Sequence, residues 1–459
     1  MQVAKKEVNM LSGPIMKGLL AISLPIMVMN VLQTLFNMAD MTILQMFDEG
    51  DGYSVGAVGV CGTPTSLITG ILIGIASGAN VVIARYIGSR DKEKLSRAIG
   101  TSIVFSVLGG LFLALIGQFL SEEILSLVNC PPELLPQANL YFRIYFAGAP
   151  ILMLYNFSAA ILRAAGDTKR PMIYIIIGGV ANVVFNCIFV GIFDLSVAGV
   201  AIATVISWII SATLCIITLT KDDCSVRIER AHLHIYSNEL KEILYIGIPT
   251  GLQSSFYSIA NMMISGSVNT FGPDATTGVS IANQFDAMTY HVVMAPSYAL
   301  MPYVSQNLGS RNVKRAKKAV ARGVLLALIM GAVFGWLIVI FSRPLASIMT
   351  DSPSVIAFAR EKMLIVSATY FIHGINEALA ASLRGMRRPI IPTISTFLFS
   401  CVFRVLWVAF LFPLVNSVSF LYLVWPVSWL LSTLLQLPFC IVGLKKESIR
   451  AEEPEKVEA

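Results

Sequence analysis

Twelve stretches of this chain are each long and apolar enough to cross a bilayer: residues 18–46, 55–84, 99–120, 137–162, 171–192, 196–219, 242–269, 277–306, 320–342, 356–383, 389–412 and 417–443. A hydrocarbon core of about 30 Å takes about 20 apolar residues in a helix. Lipid offers the backbone no hydrogen-bond partner, so only helices and closed barrels span it. Barrel strands alternate apolar and polar residues over segments of about ten, and these runs are longer and do not alternate. The expected fold is therefore an all-α polytopic membrane protein with twelve transmembrane helices. The 13% of charged residues, against 56% hydrophobic, compares with about 25% charged in soluble domains. That excludes a soluble enzyme, a disordered chain and a secreted disulfide scaffold. The seven cysteines form no CxxC pair and read as small buried hydrophobes.

Charge in the loops sets the expected orientation. One set of loops carries Arg85, Arg90, Lys92, Lys94 and Arg97, then Arg163, Lys169 and Arg170, then Lys221, Arg227, Arg230 and Lys241. It continues with Arg311, Lys314, Arg315, Lys317 and Lys318, then Arg384, Arg387 and Arg388, and ends at Lys445 and Lys446. The alternate loops carry Asp48, Glu49, Asp51, Glu122, Glu123, Glu133, Asp194 and Asp274, with Arg143, Arg343, Arg360 and Lys362 as exceptions. The positive-inside rule then puts both termini and the basic loops in the cytoplasm. The net charge of +6 belongs to that rim, where anionic lipid attracts it, and no nucleic acid is needed to account for it. Lys5, Lys6 and Lys17 precede an apolar run without a small-residue cleavage site, which reads as a first span rather than a removed signal peptide.

The two halves repeat. Leu20-Ala-Ile-Ser-Leu-Pro25 is matched by Leu244-Tyr-Ile-Gly-Ile-Pro249, and Asn37 by Asn261, both 224 residues apart. Gly88-Ser-Arg90 recurs as Gly309-Ser-Arg311, Leu162-Arg163 as Leu383-Arg384, and Ser207-Trp-x-x-Ser211 as Ser428-Trp-x-x-Ser432, all 221 apart. Four blocks in one order indicate a duplicated six-helix unit. The expected organisation is a lobe at 1–219, a cytoplasmic linker at 220–241, a pseudo-symmetric second lobe at 242–443 and a cytoplasmic tail at 444–459. Parallel repeats of this kind are an architecture of alternating-access transporters. Pro25 and Pro249 each remove a helical hydrogen bond and are candidate hinges.

Ionisable residues at mid-bilayer cost roughly 2.5–3.5 kcal/mol on insertion scales, so each is a functional candidate. Helix 1 carries Asn30, Gln33, Asn37 and Asp40 on one face, with Asp40 roughly 9 Å inside its span. Asn182 and Asn186 share a face of helix 5, with Asn186 at a depth similar to that of Asp40. Their oxygens suit a proton or sodium; the alternative is an interhelical hydrogen-bond cluster. Helix 10 carries Tyr370, His373 and Glu377 in one stripe, and helix 8 carries Asn283, Asp286 and Tyr290 on one face with His291 on another. Gln253 and Asn261 of helix 7 join these as candidate substrate contacts. Asp286 and Arg404 lie at matched depth and read equally as functional groups or as an ion pair. Glu377 lacks a depth-matched base in its lobe and is the better candidate to meet a cationic substrate. His373 reads equally as a hydrogen-bond partner or a proton relay. No GxxxxGK[ST] occurs, so no ATP engine is encoded. No His/Cys cluster has metal-ligand spacing, and no cofactor or enzymatic activity is expected. Energy must come from an ion gradient or a partner subunit.

These segments resemble the multidrug and toxic compound extrusion (MATE) family of secondary transporters, in the MOP flippase superfamily, across residues 13–443. The resemblance rests on Pro25 with Asn37-Met-Ala-Asp40, on Gly78-Ala-Asn-Val-Val-Ile-Ala-Arg-Tyr-Ile-Gly88, and on Leu162-Arg-Ala-Ala-Gly-Asp-Thr-Lys-Arg-Pro171. Gly199-Val-Ala-Ile-Ala-Thr-Val-Ile-Ser207 and Leu383-Arg-Gly-Met-Arg-Arg-Pro389 extend it. It implies two six-helix lobes around a cleft and export of organic cations against inward H+ or Na+ flow. It also implies a cation site at Asp40, Asn182 and Thr204, with Asn186 where the family has a second acid. His373 stands where many members carry an acid on helix 10. The expected setting is a monomer in the bacterial plasma (inner) membrane. A flippase for lipid-linked oligosaccharide or peptidoglycan precursors, from the same superfamily, is the alternative.

Overall fold

The structure is a computed structural model and describes residues 7–47, 53–221, 224–415 and 417–452. Lys5, Lys6, Asp48, Glu49 and Asp51 lie outside the described residues. Twelve helical spans follow one another. They begin with α1 (Ile15–Phe47), α2 (Tyr53–Ser89) and α3 (Lys92–Phe119). The fourth span, α4, is the pair Leu135–Ala147 and Ala149–Ala164, bent by 47°. Next come α5 (Lys169–Gly191), α6 (Ser196–Leu219), α7 (Ser237–Val268), α8 (Pro273–Gly309) and α9 (Val313–Ile340). In α10, Pro353–Val366 and Tyr370–Gly385 are joined by a 3₁₀ turn at Ser367–Thr369. The last two are α11 (Ile390–Val415) and α12 (Val418–Glu452). No strand occurs among the described residues.

Eight single helices and the bent α4 have the length and apolarity of a membrane span. The exceptions are α7, α8 and α10. Polar residues on α7 and α8 interrupt their apolar character, and the 3₁₀ turn divides α10 into pieces of 14 and 16 residues. The helices that depart from plain hydropathy are thus those carrying the candidate substrate residues.

The repeat is written in the backbone as well as in the sequence. Short helices at Ser121–Leu127 and Ser342–Ser347 begin 221 residues apart. The bend at Gly148 and the end of the 3₁₀ turn at Thr369 share that separation. Left-handed residues recur at it too: Arg90 (φ 59°) with Arg311 (φ 56°), and Gly166 (φ 92°) with Arg387 (φ 59°). Gly166 tolerates this conformation freely, whereas an arginine does so at a cost. The Leu162–Pro171 block therefore has a structural task. Its Asp167, fully buried, accepts from the Arg170 backbone N–H at 3.1 Å and pairs with the Arg170 guanidinium at 3.2 Å, fixing the turn from α4 into α5.

By packing, the chain forms two compact units. One comprises the residues up to Val8, Val28–Ile87 and Asp91–Gly251; the other comprises Asn9–Met27, Gly88–Arg90 and the residues from Leu252. This partition differs from the expected lobes. Segment 220–241, expected as a linker, packs within the first unit, where Thr101 Oγ1 accepts from the Tyr236 N–H at 3.1 Å and donates to the His234 carbonyl at 3.3 Å. Two helices also change unit along their length, α1 after Met27 and α7 after Gly251. Each change falls just past the helix's own proline, Pro25 or Pro249.

Within the first unit, the first half of α7 crosses α2 on glycines. A Cβ at Gly74 would stand 2.3 Å from the Gly251 backbone, and one at Gly78 would stand 2.2 Å from the Ile243 carbonyl oxygen. Backbone cannot yield as a flexible side chain does. Overpacking of this kind costs about 1–3 kcal/mol. Gly74→Ala and Gly78→Ala should therefore lower the thermal unfolding midpoint of purified protein. On the same helix, Gly59 and Gly62 face nothing within 4 Å, so alanine there should leave the midpoint unchanged. Equal midpoints in all four variants would show that the crossing is not tight.

Candidate functional site

In the first unit, four candidate residues meet in one hydrogen-bonded chain. Asn186 Nδ2 donates to Asp40 Oδ1 at 2.5 Å and to Asn182 Oδ1 at 3.5 Å, and Asn182 Nδ2 donates to Thr204 Oγ1 at 3.4 Å. The Thr204 hydroxyl donates to the Val200 carbonyl at 2.9 Å. The local sequence explains the convergence. Asn182 and Asn186 are one turn apart on α5, preceded by Gly178 and Gly179. A Cβ on Gly179 would meet the Phe36 ring at 2.0 Å, and one on Gly178 would meet Ser211 Oγ at 2.3 Å. These two glycines let α1 and α6 close on the same face of α5, and Asp40 follows Phe36 by one turn. The paired glycines were the sequence signal for this approach, and sequence reasoning had not used them.

The electrostatics are those of an acid with amide company. Asp40 has no cationic partner among the described residues, and the buried Asn186 Oδ1 has no hydrogen-bond donor. Asn37, one turn before Asp40, is exposed and outside the chain of hydrogen bonds. The group offers oxygen atoms in excess of donors, which suits a proton or a hard cation. No three His, Cys, Asp or Glu side chains converge as a metal site among the described residues.

In the second unit the charges pair otherwise than depth suggests. Asp286 does not reach Arg404. It pairs with Lys362 Nζ at 2.9 Å, accepts from Ser367 Oγ at 3.2 Å, and through its carbonyl accepts from the Tyr370 hydroxyl at 3.2 Å. Lys362, also donating to Asn283 Oδ1, is 3% exposed. Sequence reasoning had placed it in a loop flank, but α10 starts at Pro353, so Lys362 already stands in its third turn. Glu377, expected to lack a base, lies 3.6 Å from Arg384 Nη2 and accepts from the Tyr257 hydroxyl at 3.1 Å. Arg384 follows Glu377 by seven residues, two turns along one face, and also donates to Gln253 Oε1 at 2.7 Å.

His373 is enclosed by rings. Tyr290 stacks on it at 5.6 Å, Trp429 lies at 4.8 Å, and Tyr370 and Tyr257 meet it edge-on at 5.9 and 6.4 Å. Neither ring nitrogen has a hydrogen-bond partner among the described residues. Arg404 is 1% exposed and lies on α11 between two π-helical stretches, Thr396–Val402 and Trp407–Leu411. Such stretches concentrate at functional positions. Its Nε and Nη2 donate to the Ser428 hydroxyl at 3.1 and 3.0 Å, and its Nη1 donates to Asn261 Oδ1 at 3.0 Å. The Ser428-Trp-x-x-Ser432 repeat block thus marks the seat of a buried arginine.

The MatE family matches residues 25–188 and 249–410, more than half of the chain. The chain belongs to this family. It is a MATE-family protein and a multi-pass membrane protein. The probable multidrug resistance protein YoeA of Bacillus subtilis (strain 168) is 26% identical over 377 residues, 81% of each chain. The FAD transporter of Shewanella oneidensis is 26% identical over 394 residues, 84% of this chain and 85% of its own. A multidrug resistance MATE family transporter in its outward-facing conformation has the same fold, with a TM-score of 0.89 and 21% identity over 98% of this chain and 100% of the other.

Removing one partner of a buried ion pair leaves an uncompensated charge and costs about 3–5 kcal/mol. Lys362→Met should lower the unfolding midpoint of this MatE protein strongly, as should Asp286→Asn. The double variant should recover most of the loss, because no buried charge is then left alone. Additive losses in thermal unfolding would rule out direct coupling of Lys362 and Asp286.

Proposed function

We propose that this MatE-family protein is an antiporter that exports toxic organic compounds by alternating access, using inward H+ or Na+ flow, with Asp40 as the coupling group. The observation that carries the proposal is a membrane carboxylate whose hydrogen-bond partner is a neutral amide and which no cation among the described residues neutralises. Its charge is therefore free to be cancelled by an arriving ion. Deprotonated, Asp40 accepts from Asn186 Nδ2. Protonated, it becomes a donor, and the orphaned Asn186 Oδ1 is the acceptor at hand after the amide turns over. Sodium would instead draw on the Asp40, Asn182 and Asn186 oxygens and the Thr204 hydroxyl. One pH unit corresponds to about 1.4 kcal/mol per proton, enough for about tenfold accumulation at one-for-one exchange.

A cationic substrate would compete with the ion for Asp40, since Asp286 and Glu377 each already face a cation. The names of similar proteins, multidrug resistance and FAD transport, support export of organic molecules in general. Substrate class must come from this chain's own residues. Pro25 and Pro249 serve as hinges in this scheme, at the places where α1 and α7 pass from one unit to the other. The basic loops and both termini face the cytoplasm of a bacterial cell, and the chain works as a monomer.

Proteoliposomes of known orientation, loaded with ethidium and given first a proton and then a sodium gradient, test the proposal. One of the gradients should drive efflux by the wild-type protein. Asp40→Asn should insert and fold normally yet show no gradient-driven efflux. Full efflux by that variant would remove Asp40 from the coupling role. Absence of efflux from folded wild-type protein under either gradient would shift the assignment to a lipid-linked precursor flippase.

A further inference from the structure

Across residues 252–443 the interior of the second unit holds more positive than negative charge. Three cations are buried there, Lys362, Arg384 and Arg404, each less than a tenth exposed, and two buried carboxylates, Asp286 and Glu377, face them; the unit's other buried carboxylate, Glu447, lies farther along α12, 3.7 Å from Arg450. Both carboxylates are engaged, Asp286 by Lys362 at 2.9 Å and Glu377 by Arg384 at 3.6 Å. Arg404 has no carboxylate among the described residues. Its three hydrogen bonds go to neutral oxygens, and the rings of Tyr257 and Trp425 lie 6.0 and 5.8 Å from its guanidinium carbon. A guanidinium carries five N–H donors in a planar fork that fits two oxygens of a carboxylate or phosphate. Here the fork closes on one hydroxyl oxygen, that of Ser428, which itself donates to the Trp425 carbonyl at 2.8 Å. Both charge and donors are left in surplus.

The site has an approach and an aromatic surface. Asn261, the acceptor on Nη1, is exposed, as are Ser254 and Ser258 on the same helix and Asn283 and Gln284 on α8. Polar side chains exposed along a membrane-spanning helix face water rather than lipid. Tyr290 is 36% exposed and stacks by its other face on His373, whose two ring nitrogens are buried without partners. Tyr257 touches both groups, lying under Arg404 and edge-on to His373.

We propose that Arg404 anchors the anionic end of an aromatic substrate, a carboxylate or phosphate carried on a planar ring system. The anion enters past Asn261 and takes the place of its amide oxygen on Nη1. The ring system lies against the Tyr257–Tyr290 surface. The substrate is held by this chain's second unit independently of the Asp40 chain, so the site goes beyond the coupling scheme proposed above and does not depend on it.

Matched naphthalene probes test this on the purified full chain. A ligand that binds only the folded state raises the unfolding midpoint in proportion to the logarithm of its concentration over Kd. 1-Naphthyl phosphate and 1-naphthoate should raise it in wild-type protein, and whichever does so at lower concentration identifies the preferred anion. Neutral 1-naphthol should not raise it, and inorganic phosphate should do so only at far higher concentration. Arg404→Gln should weaken binding of the anionic probes at least tenfold, and Arg404→Lys should keep part of it. Asn261→Ala keeps the arginine and removes its competing acceptor, so it should bind the anions more tightly; this readout stands even if the Arg404 variants fold poorly. Asp40→Asn, which should lose ethidium efflux, should bind the naphthyl anions as wild type does, which separates failure of this site from failure of the coupling scheme. Equal stabilisation by naphthol and naphthyl phosphate, or weaker anion binding in Asn261→Ala, would overturn the assignment.

Discussion

Water is missing from the bilayer core, and every polar atom there has to be satisfied by the chain itself. The backbone meets that demand by becoming helix; side chains meet it by finding one another. In this protein Lys362 finds Asp286, Arg384 finds Glu377, and Gln436 Nε2 finds Asn376 Oδ1 at 2.9 Å. Against that background two groups stand apart. Asp40 is held by an asparagine, and Arg404 by a serine and an asparagine. A carboxylate and a guanidinium, one in each unit, are solvated by neutral dipoles where their neighbours are solvated by opposite charge. A group solvated by dipoles alone keeps its charge available to an arriving partner, whereas an ion pair must first be broken.

Glycine makes these meetings close enough to matter. Gly178 and Gly179 bring α6 and α1 against the asparagine face of α5, and a Cβ at either would strike its neighbour at 2.3 or 2.0 Å. In the second unit, Gly335 of α9 lies so near the 3₁₀ turn of α10 that a Cβ would stand 2.2 Å from the Ser367 carbonyl oxygen. Ser367, the first residue of that turn, and Tyr370, directly after it, then reach Asp286. Polar residues supply the chemistry, but the small residues between them set the distances. In lipid, where apolar surface gains little by packing against apolar surface, close backbone approach carries much of the association energy.

Much of this was legible in the chain. Twelve helices followed from segment length and apolarity, and the turn-spaced stripes Asn182–Asn186 and Tyr370–His373–Glu377 placed those residues on shared faces. What could not be read was which face of one helix meets which face of another. Depth along a span pointed from Asp286 to Arg404, yet rotation of α10 presents Lys362 to Asp286 instead. Hydropathy also disguised Lys362, because charge at the start of a span looks like loop. Arg384 was counted with a cytoplasmic basic cluster, although its seven-residue spacing from Glu377 already placed both on one face.

The two prolines show how a local rule acquires a larger meaning. Pro25 and Pro249 stand 224 residues apart in sequence, and each precedes by two residues the point where its helix leaves one unit for the other. A missing N–H removes one hydrogen bond from the helical ladder, so each helix is weakest where it is asked to belong to two bodies. Asp40 sits on the part of α1 within the first unit, while residues Ile15–Met27 of the same helix belong to the second. Asp40 and the proline of α1 thus lie on one continuous helix whose residues divide between the two units.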